Sequence, residues 1–451
     1  MQTSAPSTPA LAHTFRERLK GFLAPLLARL DEQLDSRLVR TLGATVEVLL
    51  QNRNSGLLLS ELGAFLISPE KAAAGTKRLS NLLRSKRWSA DLLVDYLWEH
   101  AQRQLFDWIC RQRDPLAIWD ESVWEKPESI ALEGLGSVVS SKAKRLKRIR
   151  KGYYNPPGGP PVIVPGMNWL GLLLIGAGSP PVLAAMRWWT NRGERAEEMR
   201  DVEVSLLEKC AAAWGQAVLH IFDRGFAGAP WLEALARTDA RFVMRWKKGN
   251  HLQDLLGNAA PAWMLARGKK TRQTRMVNDR GGQRSRRGVL AIPVRHHAYP
   301  GPLWLVVSRR GKGHEPWYLL TNELADTPAA MWRIVFAYAK RWQIEMTWRF
   351  GKTELAMQSP RLWSWDNRLK LLLIVALVYA FLLSLLDPLL KPLRDILLQR
   401  FCPRTGKRSR VSPTPLYRVR TALSYHRVRT ALSYLWLCTM SPFLALRQNS
   451  G

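Results

Sequence analysis

The chain is 451 residues long, enough for two or three domains and a large buried core. Its 68 Lys and Arg against 36 Asp and Glu give a formal net charge of +32, far from the near-neutral balance of most metabolic enzymes, and this points to a polyanionic partner. A hydrophobic content of 47% excludes a disordered basic tail, and four scattered cysteines form neither a disulfide framework nor a zinc-ligand spacing, as expected of a reducing compartment.

Met1 to Pro9 is polar and lacks the charged and apolar regions of a secretory signal, so a cytoplasmic protein is expected. From Thr14 to about Cys110 apolar residues recur at helical spacing, first Phe15, Leu19, Phe22, Leu23, Leu26 and Leu30, later Leu92, Leu93 and Leu97. Within this stretch Lys77, Arg78, Arg84, Lys86 and Arg87 interleave with Leu79, Leu82 and Leu83. One face can dock on a core while the other meets phosphates, although a merely solvated helix has the same pattern. Residues 1–110 are therefore read as a helical DNA-binding domain.

At Pro115 the texture changes. Apolar runs at Leu116–Trp119, Asn168–Ile175 and Val182–Trp189 predict strands, a helix follows over Ala196–Trp214, and another strand runs from Ala217 to Phe222. Such an order predicts an α/β layer with a mixed sheet. Further strands are expected at Arg241–Trp246, Leu303–Val307 and Trp317–Leu320, forming a β-rich insertion over residues 241–324. Nine Lys or Arg between Arg267 and Arg287, against the single acid Asp279, mark a candidate DNA-contacting segment. Seven Lys or Arg in the ten positions Lys142–Lys151 form a second basic run, equally readable as a solvated loop.

From Pro328 the pattern is helical through about Leu355. Leu371–Leu386 is apolar except for Ser384, but its 16 residues fall short of the ~20 needed to span a bilayer, so a buried core helix is expected and no membrane partner. The octapeptide RVRTALSY occurs at Arg418–Tyr425 and again at Arg427–Tyr434, two copies being too few for a solenoid. It reads as a local duplication within a helical C-terminal region, residues 391–451.

Three carboxylates stand out by context: Asp120 and Asp223, each ending an apolar run, and Glu345 in the helix after Pro328. Taken singly, a strand-end carboxylate is usually a turn former or helix cap. Tyr338, Arg341, Glu345 and Lys352, however, fall within roughly 60° of arc on a continuous helix at ~100° per residue. An Arg and a Glu at i, i+4 would also stabilise any exposed helix.

The spacing Tyr338-(2)-Arg341-(3)-Glu345-(6)-Lys352 resembles the YREK signature of the insertion-sequence-4 family of DDE transposases. Asp223-Arg224-Gly225-Phe226 is similar to the family's second aspartate motif, and Asp120-Glu121-Ser122 to its first, with Glu121 and Glu125 as neighbouring alternatives. The resemblance covers about Leu116 to Leu386. It implies an RNase-H-like catalytic core over residues 111–240 and 325–390, interrupted by the insertion, with Asp120, Asp223 and Glu345 as catalytic metal ligands for two Mg²⁺ ions that Mn²⁺ can replace. Two hard cations ~4 Å apart suit carboxylate oxygens and in-line phosphoryl displacement.

The same resemblance assigns Tyr338, Arg341 and Lys352 to DNA phosphates and gives Trp317, 28 residues before Glu345, the place of a base-stacking tryptophan. Arg245, Lys247 and Lys248 are further phosphate-contact candidates. The implied activity is a bacterial insertion-sequence transposase that cuts inverted-repeat ends and joins their 3′-hydroxyls to target DNA, by cut-and-paste through a hairpin, as a homodimer in the synaptic complex. The residues alone leave open a structure-specific nuclease of the same fold or an inactive DNA-binding relic.

Overall fold

The computed structural model describes residues 6–52, 56–129, 131–140, 161–278, 284–311, 313–403 and 416–424. The basic run 142–151, most of the Pro/Gly loop after it, the second octapeptide and Cys438 lie outside the described residues.

Five helices open the chain: α1 (Thr8–Asp31), α2 (Ser36–Gln51), α3 (Leu59–Leu66), α4 (Ala72–Arg84) and α5 (Asp91–Cys110). The Ser7 side chain accepts from Ala10 N–H at the start of α1, and Asp35 accepts from Arg37 and Leu38 N–H at the start of α2, so both helices begin at side-chain caps. Phe15, Leu19, Leu23, Leu26 and Leu30 form the buried stripe of α1, as their spacing predicts.

The α/β portion follows as β1 (Leu116–Glu125), β2 (Gly136–Val139), β3 (Ile163–Ile175), β4 (Val182–Trp189), α6 (Met199–Trp214), β5 (Leu219–Phe222), α7 (Ala229–Thr238) and β6 (Arg241–Arg245). Next come β7 (His251–Gln253), β8 (Ala259–Pro261), α8 (Ala262–Ala266), β9 (Gln273–Asn278), β10 (Arg284–His296), β11 (Tyr299–Arg309) and β12 (Trp317–Thr321). The remaining helices are α9 (Pro328–Ala339), α10 (Trp342–Thr353), α11 (Trp365–Ser384), α12 (Lys391–Phe401) and α13 (Leu416–Leu423).

All twelve strands belong to one mixed sheet. Strand β1 lies between antiparallel β3 and parallel β5, β4 flanks β3, and β6 continues the parallel run beside β5. The residues expected to form an insertion extend this same sheet: β12 pairs antiparallel with β6, β11 with β12 and β10 with β11. A segment that joins the ladder satisfies its backbone groups there and leaves no edge between the two parts.

The sheet separates two buried cores. On one face Ile118, Ile221 and Val243 pack with the N-terminal helices and α9–α11; on the other Trp119, Phe222 and Phe242 pack with α5–α7. Helix α11 is the one described helix long and apolar enough to cross a membrane, but it is buried here from Leu371 to Leu383 among the other helices, as a core helix. The helix expected from Pro328 to Leu355 is two. Around Lys340 and Arg341 the backbone makes i→i+3 bonds, from Lys340 N to Ala337 O, Arg341 N to Tyr338 O and Gln343 N to Lys340 O, and this tighter turn divides α9 from α10.

Candidate active site

Strand parity and register set the first two carboxylates. Ile118 of β1 is paired with Ile221 of β5 in the parallel ladder, and both side chains enter the same core. Two residues on, the same face receives Asp120 and Asp223. Asp223 directly follows β5, whereas β1 runs beyond its apolar stretch to Glu125, so Asp120 lies mid-strand, just past the residues paired with β5, and not at the strand end that the apolar run predicts. Asp223 opens the turn after β5, its Oδ1 accepting from Gly225 N–H at 2.6 Å.

Helix α10 supplies the third. Arg341 immediately precedes the helix and forms an ion pair with Glu345 one turn later, while its Nη1 lies 3.8 Å from Asp120 Oδ2. Trp348, a further turn along, donates its indole N–H to that same Asp120 oxygen at 2.9 Å. Asp120 stands opposite Gly171 of β3, and a Cβ there would fall 2.8 Å from Trp348 Cζ2. The missing side chain at 171 is thus what admits the indole that reaches Asp120.

Burial raises the Asp120 carboxyl to about 7; Arg341 and the Trp348 hydrogen bond oppose the rise, while Asp223 and Glu345 add to it. Burial alone would lower the Arg341 guanidinium, yet Tyr338, Asp120, Glu345 and Asp223 together raise it. The three carboxylates therefore share one electrostatic field, and a guanidinium bridges two of them. Among the described residues no three His, Cys, Asp or Glu side chains stand close enough to hold a metal ion as they are. The donor set nonetheless suits one, being three acids with oxygen ligands only, and it already holds a cation in Arg341.

The other signature residues separate. Tyr338 is buried at the end of α9, edge-on to Trp317 with ring centroids 5.1 Å apart. Its phenol is raised by burial, with Arg341 and the hydrogen-bonded Arg245 opposing. Lys352 lies half-buried in the last turn of α10. Arg245 is 3.6 Å from Glu315, so it sits within an ion pair, whereas Lys247 and Lys248 beyond β6 are exposed. One face of Trp317 is covered by the Arg287 guanidinium, 4.3 Å from the ring centroid. Beside it opens a cavity of about 660 Å³ whose walls include Trp342, Phe336, Arg310 and His314.

Sequence spacing did not reveal Trp348, 228 residues from its carboxylate, or Glu203, which joins Glu121 in a second acidic group. Glu121 is raised to about 7 by burial and by Asp223, and Glu203 of α6 to about 8 by burial and by Glu121, with Arg200 opposing both. Arg200 is 2.8 Å from Glu203. Glu125 is turned away into the interior, where Ser140 donates to it at 2.9 Å. Alternation along β1 could have separated Asp120 from Glu121, since odd and even positions enter different cores.

No curated protein sequence matches the chain. A solved piggyBac transposase synaptic complex with hairpin DNA is similar at 12% identity, covering 94% of this chain and 81% of that one, with a TM-score of 0.41. Residues 197–381, which hold Asp223, Tyr338, Arg341, Glu345 and Lys352 but not Asp120, match the family model described as the transposase DDE domain.

Proposed function

We propose that the chain is a DDE transposase of a bacterial insertion sequence, with an RNase-H-like core in which Asp120, Asp223 and Glu345 hold two Mg²⁺ ions. The observation that carries this reading is that Asp120 of β1 and Glu345 of α10 share the Arg341 guanidinium, while Asp223, just beyond the neighbouring parallel strand β5, adds to the rise of the Asp120 carboxyl. The strand order β4-β3-β1-β5-β6, with α6 and α7 as its crossovers, supports the core assignment.

When bound, such a metal pair activates the attacking water or 3′-hydroxyl and stabilises the leaving oxygen. The chain's own residues prepare that centre. Trp348 fixes the Asp120 carboxylate by one charge-assisted hydrogen bond, and Arg341 neutralises Asp120 and Glu345 while they hold no other cation. Once released from the carboxylates, Arg341 is a fork suited to a phosphate of the cleaved strand. Exposed Lys247 and Lys248 extend the positive path, with Lys352 and Arg245 as further contacts. The cavity beside Trp317 suits a base turned out of a hairpin, provided Arg287 leaves the ring face. The partners in this reading are inverted-repeat and target DNA, bound by a homodimer at synapsis.

Asp120→Ala, Asp223→Ala and Glu345→Ala, each assayed with the element's ends on a supercoiled plasmid, should abolish Mg²⁺-dependent cleavage and leave DNA binding largely intact. Full activity in any of the three removes that residue from the centre. Cleavage by the parent protein without strand-transfer products would mark a nuclease, and binding without cleavage at every metal concentration an inactive relic.

A further inference from the structure

Helix α4 presents two chemically distinct sides. Gly75, Leu79, Leu82 and Leu83 are buried, and around the opposite side lie Ala73, Lys77, Ser80, Asn81 and Arg84, within roughly 100° of arc at ~100° per residue. All of this second group are exposed except half-buried Ser80. The chain has no acidic residue between Glu70 and Asp91, so α4 itself carries no charge that repels a polyanion.

The buried side is built for close fixation. A Cβ at Gly75 would fall 2.7 Å from the Gly63 carbonyl carbon, so α3 and α4 cross with their backbones in contact, as only paired glycines allow. At the other end Lys370 of α11 donates to Leu83 O at 3.3 Å and Ser85 O at 2.7 Å, closing the final turn of α4. The polar stripe is consequently held on a rigid helix.

Beside it sits a group of like charges. Arg78 Nε donates to Thr41 Oγ1 of α2 at 2.7 Å, and the Arg78 guanidinium is held below its usual range by burial and then by Arg40 and Arg37. Among the described residues none of Arg37, Arg40, Lys77, Arg78 or Arg84 forms an ion pair. Three mutually repelling guanidinium groups at the edge of a helix are relieved by an external anion.

We propose that α4 reads base edges in the major groove of duplex DNA through Lys77, Asn81 and Arg84, while Arg37, Arg40 and Arg78 clamp the flanking phosphates. The chemistry of the stripe matches the groove: Arg or Lys pairs with guanine O6 and N7, Asn with adenine N6 and N7, and the Ala73 methyl meets a thymine methyl. A helix of ~20 Å length and ~10–12 Å diameter fits a groove ~12 Å wide. The inference deepens the transposase reading by naming the element that selects its DNA, but its test needs no cleavage.

Full-length protein in EDTA would be used to select from a library of duplexes with a randomised core. The parent should enrich a defined sequence. Asn81→Ala and Arg84→Ala should each lose about 5- to 150-fold in affinity for that sequence and relax the preference at one or two base pairs, with non-specific affinity nearly unchanged. Arg37→Ala should weaken all duplexes alike and lower the salt slope by about one. Asn81→Arg, a change at an exposed position, should alter the preferred base, which a folding defect would not do; melting curves check integrity. Unchanged sequence preference in both Asn81 and Arg84 variants, or no enriched sequence with the parent, overturns the assignment of α4. An intact Mg²⁺-dependent cleavage activity in those same variants would show that the catalytic reading stands when the α4 assignment falls.

Discussion

The indole N–H of Trp348 donates to Asp120 Oδ2 at 2.9 Å, joining helix α10 to the middle of strand β1. Trp348 is itself held edge-on to Trp169, with ring centroids 4.5 Å apart, so the donor has little freedom to turn away. Replacing it with Phe keeps most of the ring packing but leaves a buried carboxylate without its donor. Trp348→Phe should destabilise the fold by about 1.5–3 kcal/mol at pH 8, measured by urea denaturation, and lower cleavage more than DNA binding.

Gly171 tests the same contact from the other side. Gly171→Ala puts a methyl into the space of the Trp348 ring and should lower stability by about 1–3 kcal/mol. If the ring is the cause, the loss in the double variant Gly171→Ala/Trp348→Leu should be smaller than the sum of the two single losses. Additive losses would place the effect of Gly171 elsewhere.

Glu203 gives a pH signature. Its carboxyl titrates at about 8 in the folded state, raised first by burial and next by Glu121, against an ordinary value of 4.5. Below about 4.5 the group is protonated in both states; as pH rises, the unfolded chain loses this proton first, and stability falls until about 8. Glu203→Gln removes that dependence. The variant should match the parent near pH 4 and exceed it by up to ~5 kcal/mol at pH 8.5, read as a shift in the urea midpoint. A constant difference across that range would contradict the buried-acid account.

Lys370 is nearly buried, stacked over Trp88 at 4.6 Å and donating into the last turn of α4. Lys370→Met retains the aliphatic stem but orphans two carbonyls. It should cost about 1–3 kcal/mol and make the α4 region the first site of limited proteolysis.

Much of this architecture is legible in the chain because apolar runs end abruptly at acids. Leu116–Trp119 and Ala217–Phe222 both fall on strands, and the leucines of α4 do face inward, but only Asp223 follows its strand; β1 runs on through Asp120 to Glu125 because pairing with β3 continues where the apolar run stops. The division of α9 from α10 was not legible, since every residue from Ala339 to Trp342 is compatible with a helix and only the bonding pattern changes. Trp317, a candidate stacking platform, carries the Arg287 guanidinium of β10 on its face. Arg245, a candidate phosphate contact, lies between Glu315 and Tyr338. Such partners are distant in sequence, and no local pattern encodes them. Nor does periodicity tell that the strands of 241–324 extend the existing sheet, because edge pairing is decided between segments and not within them.

Helix α11 makes two of these connections at once. Lys370 near its start grips α4, and Tyr379, nine residues later, meets Thr347 of α10 with hydroxyl oxygens 2.8 Å apart, at a rise of about 14 Å along the axis. In the proposed reading this buried strut acts as a ruler. It sets the distance between the place where an end would be recognised and the place where it would be cut, so a bend in that greasy rod would miscalibrate the scissile position while leaving both working surfaces chemically intact.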